Sequence, residues 1–210
     1  MIKIEVWSDI NCPFCYIGKR QLETALKDFT QDQMEVEWKS FELDPQGHPP
    51  KNANAEELLA KKYGRDLKWA QEMNANMTKM AKEAGLEFHL EKLVPANSFD
   101  AHRVLHLYKK FGKQNEMKER LLKVKFVEGR DISDKGILAE LAQEQEISQE
   151  EIQKVLESDL YSRDVREDEE MAMKLGINGV PFFVINQQYA LSGAQPVESF
   201  KEVLKKVTES

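Results

Sequence analysis

The two cysteines of this 210-residue chain stand one helical turn apart, in Cys12-Pro13-Phe14-Cys15. Two thiols at that spacing can close a disulfide, and on the first turn of a helix the unpaired N–H groups and the dipole favour a thiolate. The chemistry predicted is reversible thiol–disulfide exchange, with Cys12 as the activated sulfur and Cys15 as its partner. Pro13 suits the first helical position because its missing N–H would have had no partner there.

Positioning the sulfurs requires a strand before them and a helix after. Ile2 to Trp7 reads as that strand, Ser8 to Asn11 as a short connection, and Ile17 to Phe29 as the helix whose first turn carries the thiols. The alternation of Met34, Val36 and Trp38 predicts a second strand within Met34 to Leu43, which completes a βαβ unit. Its strands should run parallel with a right-handed crossover, placing Phe41 and Glu42 at the same sheet edge as Cys12. Glu42 is therefore a candidate proton relay, weighed against a plain solvated carboxylate at a strand end.

Asp44 to Pro50 has loop chemistry, and a mostly helical stretch follows to about Leu175. Ser148 with Glu151 predicts a capping box, and Ile147 with Ile152 its hydrophobic staple; Ile132, Ser133 and Ile137 repeat the pattern one helix earlier. Further helices are expected from Phe99 to Phe111, stopping at Gly112, and from Leu160 to Leu175, stopping at Gly176. Phe182 to Ile185, Asn186 to Gln188 and Tyr189 to Ser192 then read as strand, turn, strand, with a closing amphipathic helix over Pro196 to Val207. Pro181, at the start of a strand, calls for a bulge, an edge or a cis turn. A cis Val180–Pro181 bond would leave the flanking backbone groups open to another chain.

A net charge of −7 and a pI near 5.3 argue against nucleic acid or an anionic membrane as the partner, and no apolar run is long enough to span a bilayer. The first strand begins within two residues of the N-terminus, so no secretory signal is read and a cytoplasmic address is expected. There a lone cysteine pair is redox-active or metal-binding rather than a staple. His102 and His106 could complete a zinc site, but they lie far beyond the spacing of a compact finger, so no metal is expected. Met73, Met77 and Met80 share a helix face that serves as a binding groove or as plain core. Lys19 reads as a solvated lysine near the thiols, Asp164 to Glu170 as a solvated helix face, and Trp7 and Trp38 as sheet-face packing.

The segments WSDINCPFCYIGKRQLE and GINGVPFFVIN resemble the DsbA-like branch of the thioredoxin superfamily. Within it they resemble the FrnE-like group, which shares a family with 2-hydroxychromene-2-carboxylate isomerases and kappa-class glutathione transferases. The resemblance implies an α/β thioredoxin fold interrupted by a large all-helical insertion. Residues 1–44 and 176–210 would form the thioredoxin-like domain and 45–175 the insertion. Cys12 matches the attacking cysteine, Cys15 the resolving one and Pro181 the cis-proline beside the disulfide, while Val180 would offer its backbone to an extended substrate. Pro13 and Phe14 fall at the dipeptide that faces substrate and tunes redox poise; members usually carry CPWC or CPHC, from which Phe14 departs.

The implied activity is that of a thiol-disulfide oxidoreductase or protein disulfide isomerase. The alternative is a glutathione-dependent isomerase or transferase, whose members carry serine in place of the first cysteine. No cofactor is implied beyond the Cys12–Cys15 disulfide, with glutathione a candidate co-substrate. The expected partners are protein or small-molecule thiols and disulfides and a cellular thiol reductant or oxidant, and the expected state is monomer or homodimer.

Overall fold

The structure, a computed structural model, describes residues 1–30, 33–50 and 53–209. Alternating apolar residues in IKIEVWS and MEVEWKS produce β1 (Ile2–Ser8) and β2 (Met34–Ser40), paired in parallel with Ile4 opposite Val36 and Ser8 opposite Ser40. Between them runs α1 (Pro13–Leu26), which starts at Pro13, earlier than Ile17, and ends before Phe29. β3 (Phe182–Ile185) lies antiparallel to β1, and β4 (Tyr189–Ser192) antiparallel to β3, giving the order β2-β1-β3-β4. In the three-residue connection of this hairpin, Asn186 and Gln187 both take positive φ, as a type I′ turn demands, and the Gln188 N–H donates to the Ile185 carbonyl at 3.1 Å. The closing α9 (Val197–Thr208) packs with α1 on one sheet face. There Ile4, Val6, Leu22, Phe183, Ile185, Phe200 and Leu204 form an apolar core, with Phe183 and Phe200 edge to face at 4.8 Å.

The helical insertion comprises α2 (Ala55–Tyr63), α3 (Leu67–Glu83), α4 (Phe99–Lys110), α5 (Gln114–Lys123), α6 (Lys135–Glu144), α7 (Gln149–Leu156) and α8 (Ser162–Lys174). α5 continues into a single π-helical turn, Val124–Glu128. Ser148 caps α7 through the Glu151 N–H, and Ile147 and Ile152 share one core. At α6 the cap is Asp134 rather than Ser133, its carboxylate accepting from the Gly136 and Ile137 N–H groups. Ile10, in the connection after β1, reaches into the insertion's core among Val104, Tyr108, Leu121 and Ile152. The sequence and the fold thus agree on a thioredoxin fold split by helices.

Two contacts fix α5, one to the sheet and one to α1. Strand β2 is an edge, and the Gln114 side-chain amide satisfies it on both sides: its oxygen accepts from the Trp38 N–H at 2.9 Å and its NH2 donates to the Trp38 carbonyl at 2.9 Å. One turn on, Glu119 takes hydrogen bonds from Tyr16 and Arg20 at 2.6 Å each and an ion pair from Lys19 at 2.8 Å. Lys19 is therefore not solvated; it is buried, with Glu23 and Glu119 as its partners.

Candidate active site at the end of the first strand

Cys12 is the N-cap of α1 and keeps extended backbone angles (φ −100°, ψ 112°), while Pro13 occupies the first helical turn and the Cys15 N–H donates to the Cys12 carbonyl at 3.0 Å. Both thiols are free and buried, Cys12 with 3% of its surface exposed and Cys15 with none. Cys12 is the sulfur nearer to solvent. The Val180–Pro181 bond is cis, and the Cys12 thiol donates to the Val180 carbonyl at 3.6 Å. Phe14 is exposed beside them. The structure so brings Cys12, Pro13, Phe14, Cys15, Val180 and Pro181 to one place.

Gly18, one turn along α1, makes this approach achievable. A Cβ there would meet Pro181 Cγ at 3.0 Å and Phe183 Cζ at 3.1 Å, so the helix rides against the proline loop only without a side chain.

Hydrogen bonding between the two sulfurs ties their titrations together, so that the first proton to leave is favoured and the second opposed. The hydrogen bond to Cys15 and burial push the Cys12 thiol up when Cys15 is the anion. Burial also works against a Cys15 anion, but the hydrogen bond from Cys12, the charge of Lys118 and the Ser8 hydroxyl outweigh it and lower that thiol. The buried Ser8 hydroxyl has no oxygen or nitrogen partner of its own among the described residues. The two sulfurs therefore give up their protons one at a time.

Asp9, three residues before Cys12, knots the two halves of the molecule. Its carboxylate accepts from the Asn11 N–H at 3.0 Å, the Leu43 N–H at 2.8 Å and the Ser98 hydroxyl at 2.8 Å, and meets His102 Nε2 at 3.4 Å. Burial opposes its charge, yet the His102 ring and the backbone N–H groups hold its pKa down at about 2. His106 pairs instead with Ser40 Oγ at 3.1 Å and Asp168 at 3.2 Å. The two histidines therefore serve different carboxylates, and no group of three or more potential metal ligands occurs among the described residues.

Asp168 is buried, and its carboxylate also accepts from the Ser40 N–H at 2.8 Å, so the acidic run in α8 is not a uniformly solvated face. Trp7 donates its indole N–H to the Asp168 carbonyl at 2.9 Å. Glu42 lies just past the end of β2 and is buried rather than solvated. Its Oε2 accepts from Arg166 at 2.6 Å and its Oε1 has no partner; burial pushes its pKa up to about 7 against the pull of Arg166. Met77 is core, whereas Met73 and Met80 are exposed.

The sequence reading missed Lys118, Lys125 and Asp9. Lys118 sits between Met117 and Leu121 on the apolar stripe of α5, and Lys125 adjoins Phe126 in the π-helical turn; a lysine on a buried stripe was the available signal. Lys125 lines a cavity of about 700 Å³ with Asp9, Leu58, Leu93, Ala96 and Asn11, the residue before Cys12; neither cysteine lines it. Burial lowers its pKa to about 8.

A model of the DSBA-like thioredoxin domain matches residues 3–205. Uncharacterized protein YwbO of Bacillus subtilis (strain 168) is 28% identical over 208 residues, which are 97% of this chain and 96% of that protein. The crystal structure of a probable DsbA oxidoreductase, SCO1869 from Streptomyces coelicolor, superposes with a TM-score of 0.94 at 36% identity, over 100% of this chain and 91% of the other. The cytosolic disulfide reductase DsbM from Pseudomonas aeruginosa, determined with GSH, shares the fold with a TM-score of 0.71 at 17% identity, over 99% and 100% of the two chains. Family model, relatives and the geometry of the two sulfurs agree: the chain belongs to the DsbA-like thioredoxin family.

Proposed function

We propose that this protein is a thiol-disulfide oxidoreductase working through the Cys12–Cys15 couple, on protein or small-molecule thiols and disulfides. The observation that carries this reading is the placement of Cys12: at a helix N-terminus, beside Val180 and Pro181, with Cys15 buried behind it. In the reducing direction the Cys12 thiolate attacks a substrate disulfide, forming a Cys12–substrate bond and releasing one substrate sulfur as a thiolate that takes up a proton. Cys15, having lost its proton, then attacks Cys12; the Cys12–Cys15 bond forms, the second substrate sulfur leaves, and two electrons have passed to substrate. The oxidising direction is the same path reversed. Val180, with its carbonyl facing Cys12, lies where an extended substrate backbone would pair.

Glutathione as co-substrate has its support in the cavity that Asn11, the residue before Cys12, helps to line. Lys125 at its wall, with Lys61 and Lys62, offers positive charge to the carboxylates of a small anionic thiol. A serine-based isomerase or transferase fits less well, since both cysteines are present, one helical turn apart. We place the protein in the cytoplasm, a reading supported by its single cysteine pair and by its likeness to DsbM; no helix among the described residues is long and apolar enough to cross a membrane. Glu42, with a pKa near neutrality and one unpartnered oxygen, keeps its candidacy as a proton carrier at this sheet edge.

The test is a redox titration of the couple in glutathione buffers, read by thiol trapping, with Cys12→Ser as control. The expected result is one two-electron transition whose midpoint shows which direction a cytosolic thiol pool drives. Thiols that stay free at every poise would overturn the assignment.

A further inference from the structure

Lys118 is fully buried, and among the described residues its ammonium has no carboxylate within ion-pair distance. Its one hydrogen bond runs to the Ser8 carbonyl at 3.4 Å, and it lies 5.5 Å above the Trp38 ring. A buried ammonium without a carboxylate partner is costly, so such a group persists where its charge has a use or not at all. The fold also holds it firmly. Gln114, one turn before it on the same helix face, is clamped to both backbone groups of Trp38, and Glu119, next to it, is tied to Tyr16, Lys19 and Arg20 of α1.

We propose that Lys118 is a positioning charge for the resolving sulfur: its buried ammonium is the counter-charge that lets Cys15 give up its proton inside the protein and close the disulfide. The proposal deepens the thiol–disulfide reading and rests on it. The charged and titratable groups that face Lys118 are Cys12, Cys15 and Lys19 from α1, Asp9 from the connection after β1, and His102 from α4. Burial lowers the Lys118 pKa to about 8, while the charges of Cys15, Asp9 and Cys12 pull it back up. The same coupling read from the sulfur lowers Cys15. Cation and thiolate therefore stabilise each other, and that stabilisation exists only in the reduced protein. Once the disulfide forms, the sulfur charge is gone and, among the described residues, Asp9 is the anion left facing the ammonium, so Lys118 favours the dithiol state.

Two substitutions separate charge from packing. Lys118→Met keeps the length and the apolar stem, and Lys118→Gln keeps a donor for the Ser8 carbonyl. Both remove the charge. In glutathione buffers both variants should become easier to oxidise, with the equilibrium constant for reduction falling tenfold or more, which is about 30 mV for two electrons. A second readout is the pH dependence of thiolate absorbance from Cys15 in a Cys12→Ser background. It should lie below the ordinary thiol range with Lys118 present and rise when Lys118 is replaced.

If the parent shows no dithiol–disulfide transition, the functional reading itself fails, and the Lys118 role with it. A normal parent transition with unchanged midpoint and thiol titration in both Lys118 variants overturns the Lys118 role alone. Should neither variant fold, the Cys12→Ser protein still decides: Cys15 titrating at or above the ordinary thiol range overturns the proposal, and below it supports the proposal.

Discussion

The two halves of this molecule contribute different things to one site. The sheet with α1 and α9 supplies both sulfurs and the proline loop, and its inner face is apolar throughout, from Ile4 and Val6 to Phe200 and Leu204. The helical insertion supplies buried polar groups to the strand ends next to the sulfur-bearing turn: Ser98 and His102 on Asp9, His106 and Asp168 on Ser40, and Lys118 on Ser8. Each meets the C-terminal end of β1 or β2, where a parallel βαβ unit opens its crevice. The division teaches that, under the proposed function, the thioredoxin-like half would fix where exchange happens and the insertion would set the charge in which it happens.

The sharpest way to break the sulfur side of that comparison is to remove one thiol at a time. Cys12→Ser should reduce disulfide exchange to background, because the remaining sulfur is fully buried; Cys15→Ser should still attack but accumulate mixed disulfides with substrate, visible by mass spectrometry. Breaking the seam between the halves comes next. Asp9→Ala leaves Ser98, His102 and two backbone N–H groups without their buried acceptor, and should cost about 3–5 kcal/mol in denaturant unfolding. The seam also has a pH signature. The folded Asp9 pKa of about 2 lies below its ordinary value of 3.8, so its contribution is complete above about pH 4 and is lost as pH falls towards 2, roughly 2 kcal/mol in all. Asp9→Asn should flatten that acid limb.

Much of the sulfur-bearing half was legible in the sequence because its signals are local. Strand alternation, Pro13 at a helix start, a short turn over Asn186 to Gln188 and a proline opening a strand are all decided within a few residues. The charge-bearing half was not legible for the opposite reason. Whether Lys118 or Asp168 is solvated depends on Ser8 and Ser40, which lie up to 128 positions away, and Lys19 of α1 depends in the same way on Glu119 of the insertion. The α6 cap shows the same limit on a small scale: Ser133 fitted the staple pattern, but Asp134, one residue on, is a carboxylate and accepts two N–H bonds. Only the lysine on the apolar stripe of α5 left a local trace of the buried charge.

A smaller effect tests how closely the sulfur-bearing half must pack on itself. Gly18→Ala would drive a methyl against Pro181 Cγ and Phe183 Cζ, at 3.0 and 3.1 Å, and both belong to the buried loop and strand that face Cys12. The expected cost is about 1–3 kcal/mol of stability. Exchange should slow as well, since α1 and the Val180–Pro181 segment move apart and the Cys12 thiol loses its place opposite the Val180 carbonyl. A variant with lower stability but an unchanged exchange rate would show that the spacing of helix and loop matters to folding alone.

The smallest expected effect belongs to Glu42, and it separates a proton carrier from a structural ion pair. Burial raises its folded pKa to about 7, above its ordinary value of 4.5, in spite of the hydrogen bond and charge of Arg166. The folded protein therefore holds a proton that the unfolded chain releases. Stability falls as pH rises from about 4.5 and levels off above 7. Glu42→Gln stays neutral throughout and still accepts from Arg166, so its stability relative to the parent should improve between pH 5 and pH 8, by about 1–2 kcal/mol after allowance for the half-exposed Arg166. If Glu42 also carries protons for the thiols, the same variant loses the inflection near neutral pH in its exchange rate. An unaltered rate profile beside an altered stability profile would make Glu42 a structural ion pair and nothing more.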